Sequence, residues 1–360
     1  MKFPTMKRAV FFALVAAFLA GCGDSTDLVP PAPNTVTPVQ TRFAYVTNAD
    51  DNTISAFTVG ADGSLANNGA PVATGQGPRG LGVTPNSNFV YVVNQTDETV
   101  SGYRVNTDGT LTQNGPNVPT GNVPADLTVD PSGRFVYVAN RGSDTLSAYA
   151  INANGVLVAN GTFATGVEPF APAVDPTGRF LFVTNQTDDT ISSFTINQDG
   201  TLTPNGGPVA TGSIPFVIKV DPSGRFAYAV NNAGGGSVSA YTISETGVLS
   251  PNGSIAAGNV ATGLAIDPTG QFVYVSNALG DTVSAFTIQA NGTLQANGPE
   301  IAAGDEPRSV TVDQTGRFVY VVNGTTNTAT YFSIDADGTL TTNGSTGTTG
   351  NLPLQISTAL

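Results

Sequence analysis

Apolar and polar positions alternate along most of this chain, and the alternation comes in packets. Six-residue runs such as Phe43-Ala44-Tyr45-Val46-Thr47-Asn48 are followed closely by runs such as Thr53-Ile54-Ser55-Ala56-Phe57-Thr58-Val59. Period-two patterning rich in Val, Thr, Tyr and Phe, bounded by Gly, Pro, Asn and Asp, predicts short β-strands. The packet recurs: FAYVTN at Phe43 returns at Phe89, Phe135, Phe180, Phe226, Phe272 and Phe318, in steps of 46, 46, 45, 46, 46 and 46 residues. Drift that small over seven copies marks a repeat architecture.

Each copy holds four strand signals. Strand A reads PADLTVD from Pro124 or PRSVTVD from Pro307, and a DPSGR or DPTGR turn follows, with Pro and Gly placed for a reversal. Strand B is the FVYVAN run and strand C the TLSAYAI run. A hairpin dipeptide such as Asp108-Gly109, Asn154-Gly155 or Asp199-Gly200 leads to a weaker strand D. Four antiparallel strands in a unit of this length form a propeller blade. The chain opens on a strand B at Phe43 and ends on PLQISTAL from Pro353, which has the strand A pattern. The last strand is therefore expected to complete the first blade as its innermost strand, leaving no open edge at the seam. The fold class is all-β: a seven-bladed β-propeller over residues 42–360, one domain.

The N-terminus adds a second reading. Lys2, Lys7 and Arg8 precede an apolar run from Ala9 to Ala20, twelve residues long and too short to span a bilayer comfortably. This is the pattern of a secretory signal over residues 1–21. Leu19-Ala20-Gly21-Cys22 resembles the bacterial lipobox, which implies acylation of Cys22, the only cysteine of the chain. Gly23 follows it in place of an inner-membrane retention Asp, which favours the outer membrane. Residues 22–41 carry four prolines and read as a lipidated tether. The chain from Cys22 onward has ten basic residues, because three of the 13 lie in the signal, against 26 acidic ones. A formal charge of −16 excludes nucleic acid as a partner.

In an up-and-down blade the D-to-A and B-to-C connections share one face, and the A-to-B and C-to-D turns share the other. Arg134, Arg179, Arg225 and Arg317 fall on the second face as repeated, solvated turn residues; Asp130, Asp175, Asp221 and Asp267 begin the same turns and should bond their own backbone. The first face varies from blade to blade. Its D-to-A loops are expected to carry Arg79, Glu168, Asp305, Glu306 and Arg308. Its B-to-C loops carry Asp51, Asp97, Arg141, Asp144, Asp188, Asp189 and Asp281 among others. This is either a hydrated acidic rim or a mixed-charge funnel for a polar ligand or protein partner. Strand A lines the central channel, and alternation turns two columns inward: Gly80, Asp126, Ala171, Val217, Gly263, Ser309 and Gln355, then Gly82, Thr128, Ala173, Lys219, Ala265, Thr311 and Ser357. Asp126 and Lys219 are the only charges in these columns and are expected to pair with each other, directly or through water, or to hold a ligand. The Asn that ends each strand B recurs in every blade and reads as a turn-capping scaffold residue.

Tyr45-Val46-Thr47-Asn48 resembles the YVTN repeat of bacterial propellers, and the unit PxxxxVDPxGRFxYVxN resembles the seven-bladed lactonase family, which includes 6-phosphogluconolactonase-type enzymes. The resemblance spans residues 42–360. It implies an Asn-Arg-Gly-His loop, a Pro-Arg-His opening of strand A and an Asn-Glu pair in active members. Here Asn140-Arg141-Gly142-Ser143 and Pro307-Arg308-Ser309 keep the arginines, while Ser143 and Ser309 stand where the histidines would be. No Asn-Glu pair follows any strand B.

The chain has no His, so the usual general base and the commonest metal ligand are missing. A Ser-His-Asp triad and a Cys/His zinc site are excluded with it. The Asp pairs lack calcium-loop spacing and no P-loop is present, so neither metal nor cofactor is expected. The leading reading is a non-catalytic, membrane-anchored binding or assembly scaffold of the cell envelope, facing a small acidic ligand or an envelope protein. The alternative is a lactone hydrolase with Glu168 or Asp126 as base and Arg79, Arg141 and Arg308 holding the substrate acid. A third is a purely structural surface module. Composition assigns no oligomeric state.

Overall fold

The computed structural model describes residues 42–360, so the expected signal, Cys22 and the tether lie outside the described residues. Seven sheets form, one per repeat, each ordered A-B-C-D and antiparallel throughout. Blades 2 to 7 take strand A from Pro78–Val83, Pro124–Val129, Pro169–Val174, Pro215–Val220, Ala261–Ile266 and Pro307–Val312. Strand D is continuous in blades 3, 5 and 7, as in Leu157–Ala164. Elsewhere it breaks into two short pieces, such as Leu65–Asn67 and Val72–Ala73, both paired with strand C.

Blade 1 closes the ring as expected. Pro353–Ala359 pairs antiparallel with Phe43–Asn48 in the register Ala44 to Thr358 and Val46 to Ile356. Ile356 and Ala359 are buried there.

Strand B is buried along nearly its whole length in every blade. Neighbouring blades cover both of its faces, which is why these runs are almost continuously apolar. In one inter-blade layer, Phe135 and Tyr137 of blade 3 pack on Leu181, Val183 and Phe194 of blade 4. A polar latch crosses the same layer: the Tyr137 hydroxyl donates to the Gly200 carbonyl at 3.0 Å. Gly200 has a φ of +83°, and a Cβ there would lie 2.2 Å from the Phe135 ring, so the hairpin requires Gly for both reasons. The hairpins are not the two-residue turns expected from Asp-Gly and Asn-Gly. Asn106 N–H donates to the Thr110 carbonyl and only Gly109 takes positive φ, which makes a three-residue loop with a glycine bulge.

The A-to-B turn is fastened as the sequence suggested. Asp130 accepts from the backbone N–H of Ser132, Arg134 and Phe135. Its arginine is not merely solvated: the Arg134 guanidinium lies 4.8 Å from the centre of the Phe135 ring, and the same stacking recurs at Arg179, Arg225 and Arg317. The strand B asparagines are scaffold, by a different route from turn capping. Asn140 is buried in extended backbone; its amide donates to Thr145 and Ser147 of strand C, and its carbonyl accepts from Gly121 N–H of the D-to-A loop. One side chain thus ties three segments of a blade together.

Candidate functional site

A cavity of about 440 Å³ runs down the axis, lined by strand A of every blade except blade 4, which contributes Phe170 alone. Of the two columns expected from alternation, all members line it except Ala171 and Ala173. Those two are buried, Ala171 in a small cluster with Ala125 and Phe170.

Alternation missed a third column. Near the start of strand A the register shifts by one residue, between Pro124 and Asp126 in blade 3 and between Pro307 and Ser309 in blade 7. Such a bulge re-aims a side chain. It turns the second residue of strand A into the channel mouth: Arg79, Ala125, Phe170, Phe216, Thr262, Arg308 and Leu354 all line the cavity. Arg79 and Arg308 are therefore strand residues at the mouth, not D-to-A loop residues as expected. Phe170 and Phe216 were not anticipated at all. Their position directly after the Pro that opens strand A, shared with Arg79 and Arg308, is the signal that could have found them.

Three arginines gather at the mouth of a strongly acidic body, each with a carboxylate near it. Arg79 and Arg308 come from blades 2 and 7, and Arg141 from the loop after strand B of blade 3. Burial lowers the Arg79 guanidinium from its usual range. Asp126 opposes that shift, and the nearby charges of Arg141 and Arg308 reinforce it. Arg141 pairs with Glu168 at 3.2 Å and Arg308 pairs with Glu306. Arg79 makes no ion pair among the described residues; its guanidinium lies 5.1 Å from the centre of the Phe170 ring. The Nε atoms of Arg141 and Arg308 are buried and have no protein acceptor. Buried donors of this kind normally find partners, and charged ones gain most from them.

The acids of the rim face elsewhere. Asp97, Asp188 and Asp51 accept from the backbone N–H of Gln76, Val167 and Asn351, and Asp144, Asp189 and Asp281 from that of Glu168, Ile214 and Glu306. These bonds hold D-to-A loops whose backbone is left-handed at Glu168, Ile214, Glu306 and Leu352. The first face is thus neither of the expected alternatives in pure form. Six of its aspartates are spent on backbone, while Glu168 and Glu306 pair with Arg141 and Arg308.

Asp126 lies just below the mouth. Its carboxylate accepts from Leu127 N–H at 2.8 Å, and Gln355 from the closing strand also bonds it. Gln355 Oε1 in turn accepts from Leu81 N–H at 2.6 Å. A Cβ on Gly80 would lie 2.4 Å from the carboxylate, so glycine makes the room it occupies. Lys219 lies one layer deeper and makes no ion pair with Asp126 among the described residues, which corrects the direct pairing considered from sequence. Desolvation raises the Asp126 carboxyl to about 6, against the opposing pull of Lys219, Leu127 N–H, Arg79 and Gln355. Glu168 shifts the other way: the Thr187 hydroxyl and then Arg141 lower it. Among the described residues no three His, Cys, Asp or Glu side chains are grouped as a metal would need.

A carboxyl raised on folding stabilises the native state fully only while it is protonated. That contribution is present below pH 4 and is lost as pH rises through about 6. Asp126→Asn keeps the shape and cannot ionise. It is expected to be more stable than the parent by about 2 kcal/mol at pH 7.5 and to lose that advantage at pH 4. Thermal melts at the two pH values measure this; an equal difference at both would show that the carboxyl is not strained.

Together these features define a closed seven-bladed propeller with an arginine-bearing mouth opening on an axial cavity. The chain belongs to the lactonase family of seven-bladed β-propellers: residues 36–123, 114–218 and 249–354 match the sequence profile described as "Lactonase, 7-bladed beta-propeller". No curated protein matches the chain. Among solved structures it is similar to a protein from Lactobacillus plantarum (22% identity, 89% of this chain and 100% of that one, TM-score 0.80). It is also similar to a proposed 6-phosphogluconolactonase from Bacteroides fragilis (24%, 91% and 100%, TM-score 0.79). A third is the periplasmic gluconolactonase of Pseudomonas aeruginosa (21%, 89% and 99%, TM-score 0.76). At these identities the likeness is one of fold.

Proposed function

We propose that this propeller captures small organic anions at its channel mouth, as a non-catalytic binding protein of the bacterial cell envelope. One observation carries the reading: in an acidic protein Arg79 and Arg308 line the axial cavity, Arg141 lies near enough to repel Arg79, and the Nε atoms of Arg141 and Arg308 lack protein acceptors. An oxyanion supplies the acceptors and offsets the mutual repulsion. Titration of the full-length chain with gluconate, followed calorimetrically, is expected to show saturable binding that weakens with salt. No heat beyond dilution from gluconate or from any other small carboxylate would remove the proposal.

A second reading, hydrolysis of an acidic lactone, is favoured by Asp126. A carboxylate poised near 6 beside cationic groups is suited to drawing a proton from water. Glu168, lowered and held by Thr187 and Arg141, is the poorer base. In this scheme Asp126 takes a proton from water, the hydroxide adds to the lactone carbonyl, the ring C–O bond breaks and the leaving alkoxide is protonated. Acid release from a lactone panel separates the two: a rate above buffer that Asp126→Asn abolishes establishes hydrolysis, and no release leaves the binding role.

The envelope location rests on the lipobox-like Leu19-Ala20-Gly21-Cys22, and the neighbouring periplasmic gluconolactonase supports export. Cys22→Ser is expected to move the protein from the membrane to the soluble fraction on fractionation of producing cells. Retention in the membrane would refute the anchor.

A further inference from the structure

We infer that the ligand of this mouth is an organic acid with a flat apolar body, such as an aryl carboxylate, and not a polyhydroxylated one. The inference rests on the anion reading above and adds what the other half of the mouth says.

The ring of second strand A residues is divided. Blades 3, 4 and 5 contribute Ala125, Phe170 and Phe216, while blades 7 and 2 contribute the arginines. The Phe170 and Phe216 rings pack with centroids 4.0 Å apart and an interplanar angle of 33°. Phe170 is buried, whereas Phe216 keeps part of its ring at the cavity. Arg79 crosses from blade 2 to lie against Phe170, so a cation and an aromatic surface already meet at the axis. A sugar acid would present hydroxyls to this side, where Phe216, backed by the buried Ala125 and Phe170, offers no hydrogen-bonding side-chain group to replace lost water.

The apolar arc continues outward on the same blades. Val123, Val167 and Ile214 sit in the D-to-A loops that lead directly into Ala125, Phe170 and Phe216, and they are 39%, 40% and 44% exposed. Val123 and Ile214 are β-branched residues held at φ of +49° and +55°. Isolated exposed apolar residues need no explanation, but Val123 and Ile214 hold the same position directly before strand A, and Val167 lies one residue earlier in its own loop, before Glu168. The axial cavity, at about 440 Å³, has room for such an acid. Its carboxylate would meet the guanidinium groups of Arg79 and Arg308, which line the cavity, and its ring would lie on Phe216.

The test is competitive calorimetry on the full-length chain with 3-phenylpropanoate and gluconate, which carry the same single charge, at one pH and ionic strength. The phenyl acid is expected to bind at least tenfold more tightly. Phe216→Ser should remove that preference, the ratio of the two affinities falling to about one, and unchanged melting would show that the ring of blades is intact. Equal or tighter gluconate binding, or a preference that survives Phe216→Ser, overturns the inference and leaves the anion site standing. Binding of neither acid overturns both.

Discussion

Deleting residues 353–360 is expected to abolish cooperative folding of the propeller or to lower its melting temperature by at least about 15 °C. The closing strand supplies the innermost strand of blade 1 and buries Ile356 and Ala359 against neighbouring blades. Without it Phe43–Asn48 becomes an open edge facing the axis, and Leu81 N–H loses the Gln355 acceptor. Open edges pair with other chains, so soluble aggregates should accompany the loss. Ile356→Asp is the milder form. It places a charge where a buried side chain stood and should cost about 3 kcal/mol or more. Circular dichroism melts and size-exclusion profiles measure both. A truncated chain that melts as sharply and as high as the parent would disprove the role of the closing strand.

The double change Arg79→Gln with Arg308→Gln is expected to weaken anion binding at least about a hundredfold. Charge-assisted hydrogen bonds contribute about 1.5–3 kcal/mol each, and two of them together span that factor. The sign of the stability effect is a separate check. Arg79 is desolvated, repelled by Arg141 and Arg308, and makes no ion pair among the described residues. Arg79→Gln alone should therefore melt no lower than the parent while still losing affinity. A variant that loses affinity and melts much lower would mean that Arg79 serves the scaffold and not the ligand. Calorimetric titration at two salt concentrations, beside a melt, separates these outcomes.

Much of the candidate site was legible before the structure. Arg141, Arg308, Arg79 and Glu168 stood out on the face that varies from blade to blade, and Asp126 and Lys219 as the only charges in the channel columns; Arg79, Arg308 and Asp126 line the cavity, and Arg141, paired with Glu168, lies near Arg79. Lys219 lines the cavity one layer deeper. What failed was the direction of particular side chains. The rim aspartates looked like a hydrated surface, yet six of them bond the backbone of D-to-A loops. Phe170 and Phe216 looked like ordinary apolar strand residues, because strict alternation would place them between blades.

Repetition alone determined the number of blades, the order of strands within each and the closing role of the C-terminal strand. These follow from period-two patterning and from which strand type stands at each end, both local properties of the chain. Tertiary structure decided which residues meet at the axis. One extra residue at the head of strand A shifts the register, and the shift is visible only against the partner strand B. It brings two arginines and two phenylalanines from four blades into one ring, a convergence over more than 200 residues that no local pattern encodes. Burial at that convergence, and not the residue types themselves, raises Asp126 and leaves the arginine donors open.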